Sequence, residues 1–93
     1  MNISDVNLKR LERSLKAVAN KRRLAILQYL KRHDEVTVGD IASAIKLSFK
    51  STSRHLSLLL LADILEKEQR GIEVFYRLTK DLKKEIGAVL NSL

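Results

Sequence analysis

Apolar residues recur at helical spacing in the first third of the chain. Over residues 5–19, leucines stand three and four positions apart and charged residues fill the opposite side, which is typical of an amphipathic helix. These leucines are Leu8, Leu11 and Leu15. Ser4 or Asp5 is the expected cap of this helix, and Asn20 is the expected cap of a second helix over residues 21–32.

Two further helices are predicted next to each other in the middle of the chain. Thr37 and Asp40 have the spacing of a capping box, which predicts a short helix over the apolar positions that follow, and residues 36–38 could also pair briefly as a strand. Ser48 can cap a helix over residues 49–62. At about 100° per residue, its buried face is Phe49, Thr52, Leu56 and Leu59. The opposite face carries Lys50, Ser53, Arg54 and Ser57, with Ser51 and His55 on its flanks.

The pattern then changes to that of strands. Residues 64–69 and 74–78 are strand-like and enclose a glycine-containing segment, residues 70–73, which predicts a β-hairpin. Thr79 is the expected cap of a last helix over residues 80–92. Its apolar stripe is Leu82, Ile86, Val89, Leu90 and Leu93. The sequence therefore predicts one mainly α domain over residues 1–93, in the order α-α-(β)-α-α-β-β-α, with a small hairpin.

Composition excludes several functions for this pattern. The chain has 93 residues and no cysteine, so one domain is expected, without disulfides, thiolate metal sites or a cysteine nucleophile. The longest apolar run, residues 58–62, is too short to cross a bilayer, and the N-terminus lacks the apolar segment of a signal peptide. A soluble, cytoplasmic protein is expected. Ser51 and His55 stand one turn apart, but no orienting acid or pocket is evident, so we expect neither an enzyme nor a cofactor.

Charge makes nucleic acid the first candidate partner. Eighteen Lys and Arg residues outnumber eleven Asp and Glu residues, giving a net charge of +7, which attracts polyanions. Two helices joined by a tight turn and followed by a hairpin describe a winged helix-turn-helix, whose second helix enters a major groove about 12 Å wide. The predicted DNA-binding residues are Ser48, Lys50, Ser51, Ser53, Arg54, His55, Ser57 and Arg70. The alternatives are a solvated helix face for Lys50 and Arg54, local packing for His55, and an ion pair within the hairpin for Arg77.

Four segments resemble the ArsR-type regulators. Residues 15–27 (LKAVANKRRLAIL) are similar to the family's opening FKALADPTRLRIL, and residues 38–42 to the helix that contains ELA. Residues 47–56 (LSFKSTSRHL) resemble the family's recognition helix LSQSTVSRHL, and residues 74–78 (VFYRL) resemble the end of its hairpin, VYYRL. These segments are spread over residues 15–78, so the resemblance extends along most of the chain.

The resemblance implies a prokaryotic homodimer that acts as a transcriptional repressor on a pseudo-palindromic operator. The terminal helices, residues 5–19 and 80–92, would be the dimerisation elements. This assigns to the dimer interface Leu8, Leu11, Leu15, Leu82, Ile86, Val89 and Leu90. Half-sites about 34–36 Å apart are expected from twofold symmetry.

Departures from the family pattern affect metal sensing and the hairpin. Residues 37–40 carry no Cys-x-Cys site, and the last helix has no histidine, so the family's metal sites are expected to be absent. Asp81 and Glu85 could gather a weak hard cation. The hairpin tip, Gly71-Ile72-Glu73, lacks the two basic residues that commonly follow this glycine in the family, which puts strong contact between hairpin and DNA in doubt.

Two alternative functions remain at this point. One is a winged-helix protein–protein module that uses Leu58, Leu60 and Leu61, although packing against the hairpin also explains these leucines. The other is an effector-responsive sensor with a pocket between the terminal helices, which is compatible with DNA binding and leaves the small molecule unidentified.

Overall fold

The computed structural model describes residues 5–93, so the cap predicted at Ser4 lies outside the described residues. The elements are α1 (Asp5–Val18), α2 (Lys21–Arg32), β1 (Val36–Thr37), α3 (Val38–Ile45), α4 (Phe49–Leu61), β2 (Leu65–Arg70), β3 (Glu73–Leu78) and α5 (Lys84–Asn91). This is the predicted winged helix-turn-helix order, in which α3 and α4 form the helix-turn-helix and the β2–β3 hairpin forms the wing.

The predicted caps of the inner helices are confirmed. The Asn20 side chain accepts hydrogen bonds from the backbone N–H groups of Arg22 and Arg23, at 3.0 and 3.1 Å. Thr37 and Asp40 form a reciprocal capping box. Between α3 and α4 the chain turns at Lys46, whose left-handed backbone (φ 55°) ends α3 with an N–H bond to its last turn.

The three strands form one antiparallel sheet in the order β1-β3-β2. Val36 pairs with Tyr76, which attaches the start of the helix-turn-helix to the wing. The turn of the wing is tighter than predicted. β2 ends one residue later and β3 begins one residue earlier, so Arg70 pairs with Glu73 and leaves a two-residue loop. Gly71 takes a positive φ of 64° in that loop, a conformation that favours glycine.

The last helix begins later than predicted. After β3, the Thr79 N–H donates to the Ile64 carbonyl at 3.0 Å, so the chain is still tied to the sheet at the residue expected to cap the helix. α5 starts at Lys84, and its N-cap, Lys83, makes no side-chain capping bond. Leu82 packs against the core from the connecting segment instead of from the helix.

One core joins the helices to the sheet. The largest fully buried apolar side chains come from α2, α3, α4, α5 and the start of the hairpin, and they are Ile26, Leu27, Ile41, Leu56, Leu59, Ile64 and Ile86. Because close-packed interiors resist displacement, the inner face of α4 is held in a fixed orientation on the domain.

Candidate nucleic-acid interface

Helix α4 begins at a well-formed cap. The Ser48 Oγ accepts the backbone N–H of Ser51 at 3.1 Å, and the Ser48 carbonyl accepts the N–H of Thr52 at 2.9 Å. The cap explains why a helix starts here. It also occupies Ser48 as an acceptor, so only its hydroxyl proton is available to a phosphate.

The two faces of α4 differ sharply. Thr52, Leu56 and Leu59 are fully buried, as predicted. Lys50 and Arg54 are exposed on the other side and form no ion pair or hydrogen bond within residues 5–93. Ser57 is also exposed, and the half-buried side chains between the two faces are Ser51, Ser53 and His55.

Phe49 does not belong to the buried face, contrary to the sequence prediction. Its side chain is 63% exposed. As the first residue of α4, it lies beyond the turns that pack on the core. A groove of about 450 Å³ lies between it and the wing, lined in part by Ser53, Ile72 and Val74. The exposed ring of Phe49 therefore lies at the N-terminal end of the basic face of α4.

His55 is engaged by Arg23 of α2. The Arg23 Nη1 lies 3.3 Å from the His55 Nδ1, while its Nε and Nη2 bond the carbonyls of Ala17 and Lys16. Burial and the neighbouring arginines, Arg23 first, hold the pKa of His55 below its ordinary value of 6.5. The local-packing alternative for His55 thus has a specific partner, which sequence spacing gave no reason to expect.

The start of α2 adds basic residues that sequence reasoning missed. Arg22 is exposed and close enough to His55 to lower the pKa of that histidine. Arg54, which lies on α4 next to His55, has the same effect. Lys21 and Arg22 also line a groove of about 440 Å³ beside the end of α3. The consecutive basic residues Lys21-Arg22-Arg23 were the available signal in the sequence.

Arg70 is bound within the domain. Its Nη1 lies 2.7 Å from Glu35 Oε1, its Nε lies 3.1 Å from Glu68 Oε2, and its guanidinium lies 4.8 Å from the centre of the Phe75 ring. These partners raise the pKa of Arg70, with Glu68 contributing most. The predicted DNA contact by Arg70 would have to compete with two carboxylates and a cation–π contact.

Arg77 is held by the same group of acids. Its Nε lies 2.7 Å from Glu66, and its Nη1 lies 3.3 Å from Glu35 and 3.2 Å from Glu68. We call Glu35, Glu66 and Glu68 the carboxylate cluster. The ion-pair alternative for Arg77 is therefore the observed one, and Glu35, which directly precedes β1, connects that segment to the wing.

The residues assigned to a dimer interface divide into three groups. Leu8 and Leu15 are each 43% exposed. The half-buried residues are Leu11, Leu82 and Val89. Ile86 and Leu90 are 0% and 7% exposed, because they pack in the core of the single chain. These two side chains therefore offer a second copy almost no surface, which corrects their assignment.

Glu85 is unavailable for the weak cation site considered with Asp81. Its Oε2 lies 2.7 Å from Arg10 Nη1, which joins α1 to α5, and the bond to Arg10 holds its pKa below the usual value. Asp81 lies in the segment before α5. Over residues 5–93, no group of three or more His, Asp or Glu residues is placed to hold a metal ion.

The leucines at the end of α4 have different environments. Leu60 packs against the core, as the packing alternative expected. Leu58 and Leu61 are 42% and 73% exposed. They line a groove of about 370 Å³ together with Arg13 and Lys16 of α1.

Among the described residues, no helix has the length and apolar character needed to cross a membrane.

The combination of an α3-turn-α4 unit, an outward basic face and a wing defines a winged helix-turn-helix protein. A family profile described as a helix-turn-helix domain matches residues 18–68, from the end of α1 to the middle of β2. The chain belongs to the ArsR-type family of winged helix-turn-helix transcription regulators, in agreement with the resemblance of its motifs.

Two sequence relatives and one solved structure support this assignment. The chain is 33% identical to the transcriptional activator HlyU of Vibrio cholerae, over 95% of this chain and 87% of the relative. It is 36% identical to the transcriptional repressor SdpR of Bacillus subtilis, over 82% and 84%. It is similar, with a TM-score of 0.81 and 28% identity, to the homodimeric winged helix-turn-helix DNA-binding domain of Mb0332 from Mycobacterium bovis, covering 98% of this chain and 83% of that one.

Both sequence relatives are named as transcription regulators. One is an activator and another is a repressor, so the direction of regulation differs within the family.

Proposed function

We propose that this protein is a homodimeric transcription regulator that binds double-stranded DNA in a sequence-specific way, and that it acts as a repressor. The observation that carries the proposal is the unpaired basic face of α4. Lys50 and Arg54 are exposed and have no acidic partner in the described chain, on a helix whose other face is fixed in the core. This is the arrangement that a helix needs to enter a major groove.

Each predicted side chain of α4 and its cap has a role in this proposal. Arg54 donates two hydrogen bonds to a guanine edge, the commonest specific contact of an arginine with DNA. Lys50, Ser48 and Ser51 position phosphates, and Ser53, His55 and Ser57 lie close to the bases. The wing contributes little charge attraction, because its arginines are neutralised by the carboxylate cluster.

The dimer in this proposal forms through the exposed leucines of α1. Leu8 and Leu15 stand seven positions apart on one side of α1, so they form one apolar strip, and the partly exposed Leu11, Leu82 and Val89 are proposed to extend it. Pairing of two such strips about a twofold axis removes apolar surface from water, and in this proposal both copies of α4 face the same DNA duplex. The operator is then a pseudo-palindrome with half-sites about 34–36 Å apart, and a dimer bound there occludes a promoter.

Selection from a randomised duplex pool, followed by fluorescence-anisotropy titration at two salt concentrations, tests DNA binding. The expected result is an enriched palindrome with one-turn half-site spacing and an affinity that falls steeply with salt. Failure to enrich any motif would contradict sequence-specific binding. Sedimentation of the free protein, with Leu15→Glu as the disruptive variant and the exposed Lys9→Glu as control, tests the dimer.

In vitro transcription from a promoter carrying the enriched palindrome tests repression. Added protein is expected to lower the transcript level. A rise in transcript would assign the opposite direction of regulation, as in the activator HlyU.

A protein–protein module is the second candidate, and the exposed leucines at the end of α4 favour it. Leu58 and Leu61 form an apolar groove with the alkyl parts of Arg13 and Lys16. This candidate predicts no retention of DNA and a partner whose binding does not respond to salt, so the anisotropy titration separates the two.

A further inference from the structure

The guanidinium of Arg23 contacts three acceptor atoms on two separate helices of the domain. Its Nε and Nη2 bond the carbonyls of Ala17 and Lys16, in the last turn of α1, and its Nη1 contacts the Nδ1 of His55 on α4 at 3.3 Å. The backbone N–H of Arg23 is itself held by the Asn20 cap at 3.1 Å. One side chain of α2 therefore joins the end of α1 to the middle of α4.

The contact with Arg23 determines which nitrogen of His55 carries the proton. A guanidinium has only donors and stays charged in proteins, so the nitrogen facing it must offer a lone pair. The Nδ1 of His55 is therefore the acceptor, and the proton of the neutral ring lies on Nε2. A second proton on Nδ1 would place two donors against each other.

The charges around His55 favour the same state. Arg22 and Arg23 act on the ring from α2, and Arg54 acts from its own helix. Together with burial, these three cations hold the pKa of His55 below 6.5. The ring is then neutral at the pH at which a cytoplasmic regulator works.

We propose that Arg23 is a positioning residue that holds His55 as the neutral Nε2–H tautomer and thereby fixes α4 against the end of α1. The consequence for DNA binding rests on the proposed function. With Nδ1 occupied, Nε2–H is the only donor that His55 can direct to an acceptor oxygen or nitrogen of DNA. The orientation of α4 is also coupled to α1, the helix that carries the proposed dimer strip.

The second histidine provides an internal control. The Nδ1 of His33 lies 2.9 Å from the carbonyl oxygen of Tyr29, which can only accept, so His33 must be protonated on Nδ1. The only two histidines of the chain are thus expected to carry opposite tautomers. A single spectrum can compare them.

Imidazole ¹⁵N NMR of the free, full-length protein at neutral pH tests the tautomer without any DNA. We expect Nε2–H for His55 and Nδ1–H for His33, and in Arg23→Met a mixture of tautomers and a higher pKa for His55 alone. Arg22→Met removes the same charge next to the same ring, and it should raise the pKa while keeping the tautomer. A wild-type His55 that is protonated on Nδ1, or charged at neutral pH, would overturn the proposal.

Anisotropy with the duplex recovered by selection tests the positioning role. Arg23→Met should lose about tenfold or more in affinity, because hydrogen bonds of a charged group are removed. Arg23→Lys keeps the charge but cannot reach all three acceptors, so it should lose most of that amount. If Arg23→Lys binds DNA with wild-type affinity, only the positive charge of Arg23 matters, and its positioning role is overturned.

The two proposals fail in different ways. If the tautomers are as expected but the protein enriches no DNA sequence, the proposed function fails and the Arg23–His55 contact stands.

His55→Asn offers an oxygen where Nδ1 lies, so it should keep the contact and bind Arg23 without any titration near neutral pH. Thermal unfolding of each variant shows which affinity losses come from misfolding.

Discussion

Two long basic side chains of helix α4, Lys50 and Arg54, differ in their surroundings from the two arginines of the wing. Lys50 and Arg54 have no ion-pair partner in the described part of the chain, whereas Arg70 and Arg77 share the carboxylate cluster. The same residue type is thus available for a polyanion on α4 and already neutralised on the wing. Counting basic residues alone would not favour α4, because the wing also carries Lys67, and only the local partners separate Arg54 from the wing arginines.

The largest expected effect comes from Arg54. Arg54→Ala should lower affinity for the selected duplex by about 5–150-fold, equivalent to about 1–3 kcal/mol, and relax the preference at one base pair. Arg70→Ala is the matched control on the wing, and it should stay within about twofold because its guanidinium is occupied. Anisotropy on matched and single-mismatch duplexes measures both. Equal losses of affinity in Arg54→Ala and Arg70→Ala would show that α4 and the wing contribute equally to DNA binding.

Lys50 is expected to act through phosphate. Lys50→Ala should weaken binding to all duplexes to a similar degree and lower the slope of log affinity against log salt by about 1. Titrations at four salt concentrations, on the selected duplex and on a scrambled one, measure the slope. A loss confined to the selected sequence would show instead that Lys50 contacts a base.

Releasing the wing arginines from their carboxylate partners should make the wing more similar to α4 in its contribution to DNA affinity. Glu68→Gln removes a carboxylate that contacts both Arg70 and Arg77, so it should raise DNA affinity at low salt by about two- to fivefold. Asp34→Asn is the control, because it removes one negative charge from the exposed loop before β1 and leaves the carboxylate cluster intact. If both variants gain affinity equally, general charge explains the gain, and release of the arginines does not.

The smallest effect concerns pH. Folding lowers the pKa of His55, so the stability it contributes is complete above the unfolded value of 6.5 and is lost as pH falls toward the folded value. Between pH 7 and 5.5 the wild type should lose more stability than His55→Asn. Urea unfolding at both pH values measures this difference. Glu68 and Glu85 have lowered pKa values, so their contribution is present above 4.5 and lost only below it.

Local signals in the sequence predicted the fold well. The Asn20 cap and the Thr37–Asp40 capping box depend on residues two or three positions apart, and both were found as expected. The start of the last helix was wrong, because the hydrogen bond from Thr79 to Ile64 extends the sheet past the predicted cap. Nothing in the pattern around Thr79 distinguishes these two outcomes.

Long-range partners were the part that the sequence could not predict. Glu35 lies 35 residues from Arg70, and Arg23 lies 32 residues from His55. No periodicity connects such positions, so their pairing depends on the folded arrangement. The outward position of Lys50 and Arg54, in contrast, followed directly from helical periodicity.

The separation of the two faces of α4 has a consequence for how such a protein can evolve. Thr52, Leu56 and Leu59 fix the helix, while Lys50 and Arg54 make no bond that the fold requires. Substitutions at the outward positions can therefore accumulate with little change in stability. A duplicated gene could acquire a new set of target promoters by drift at a few codons, while its folded scaffold stays the same.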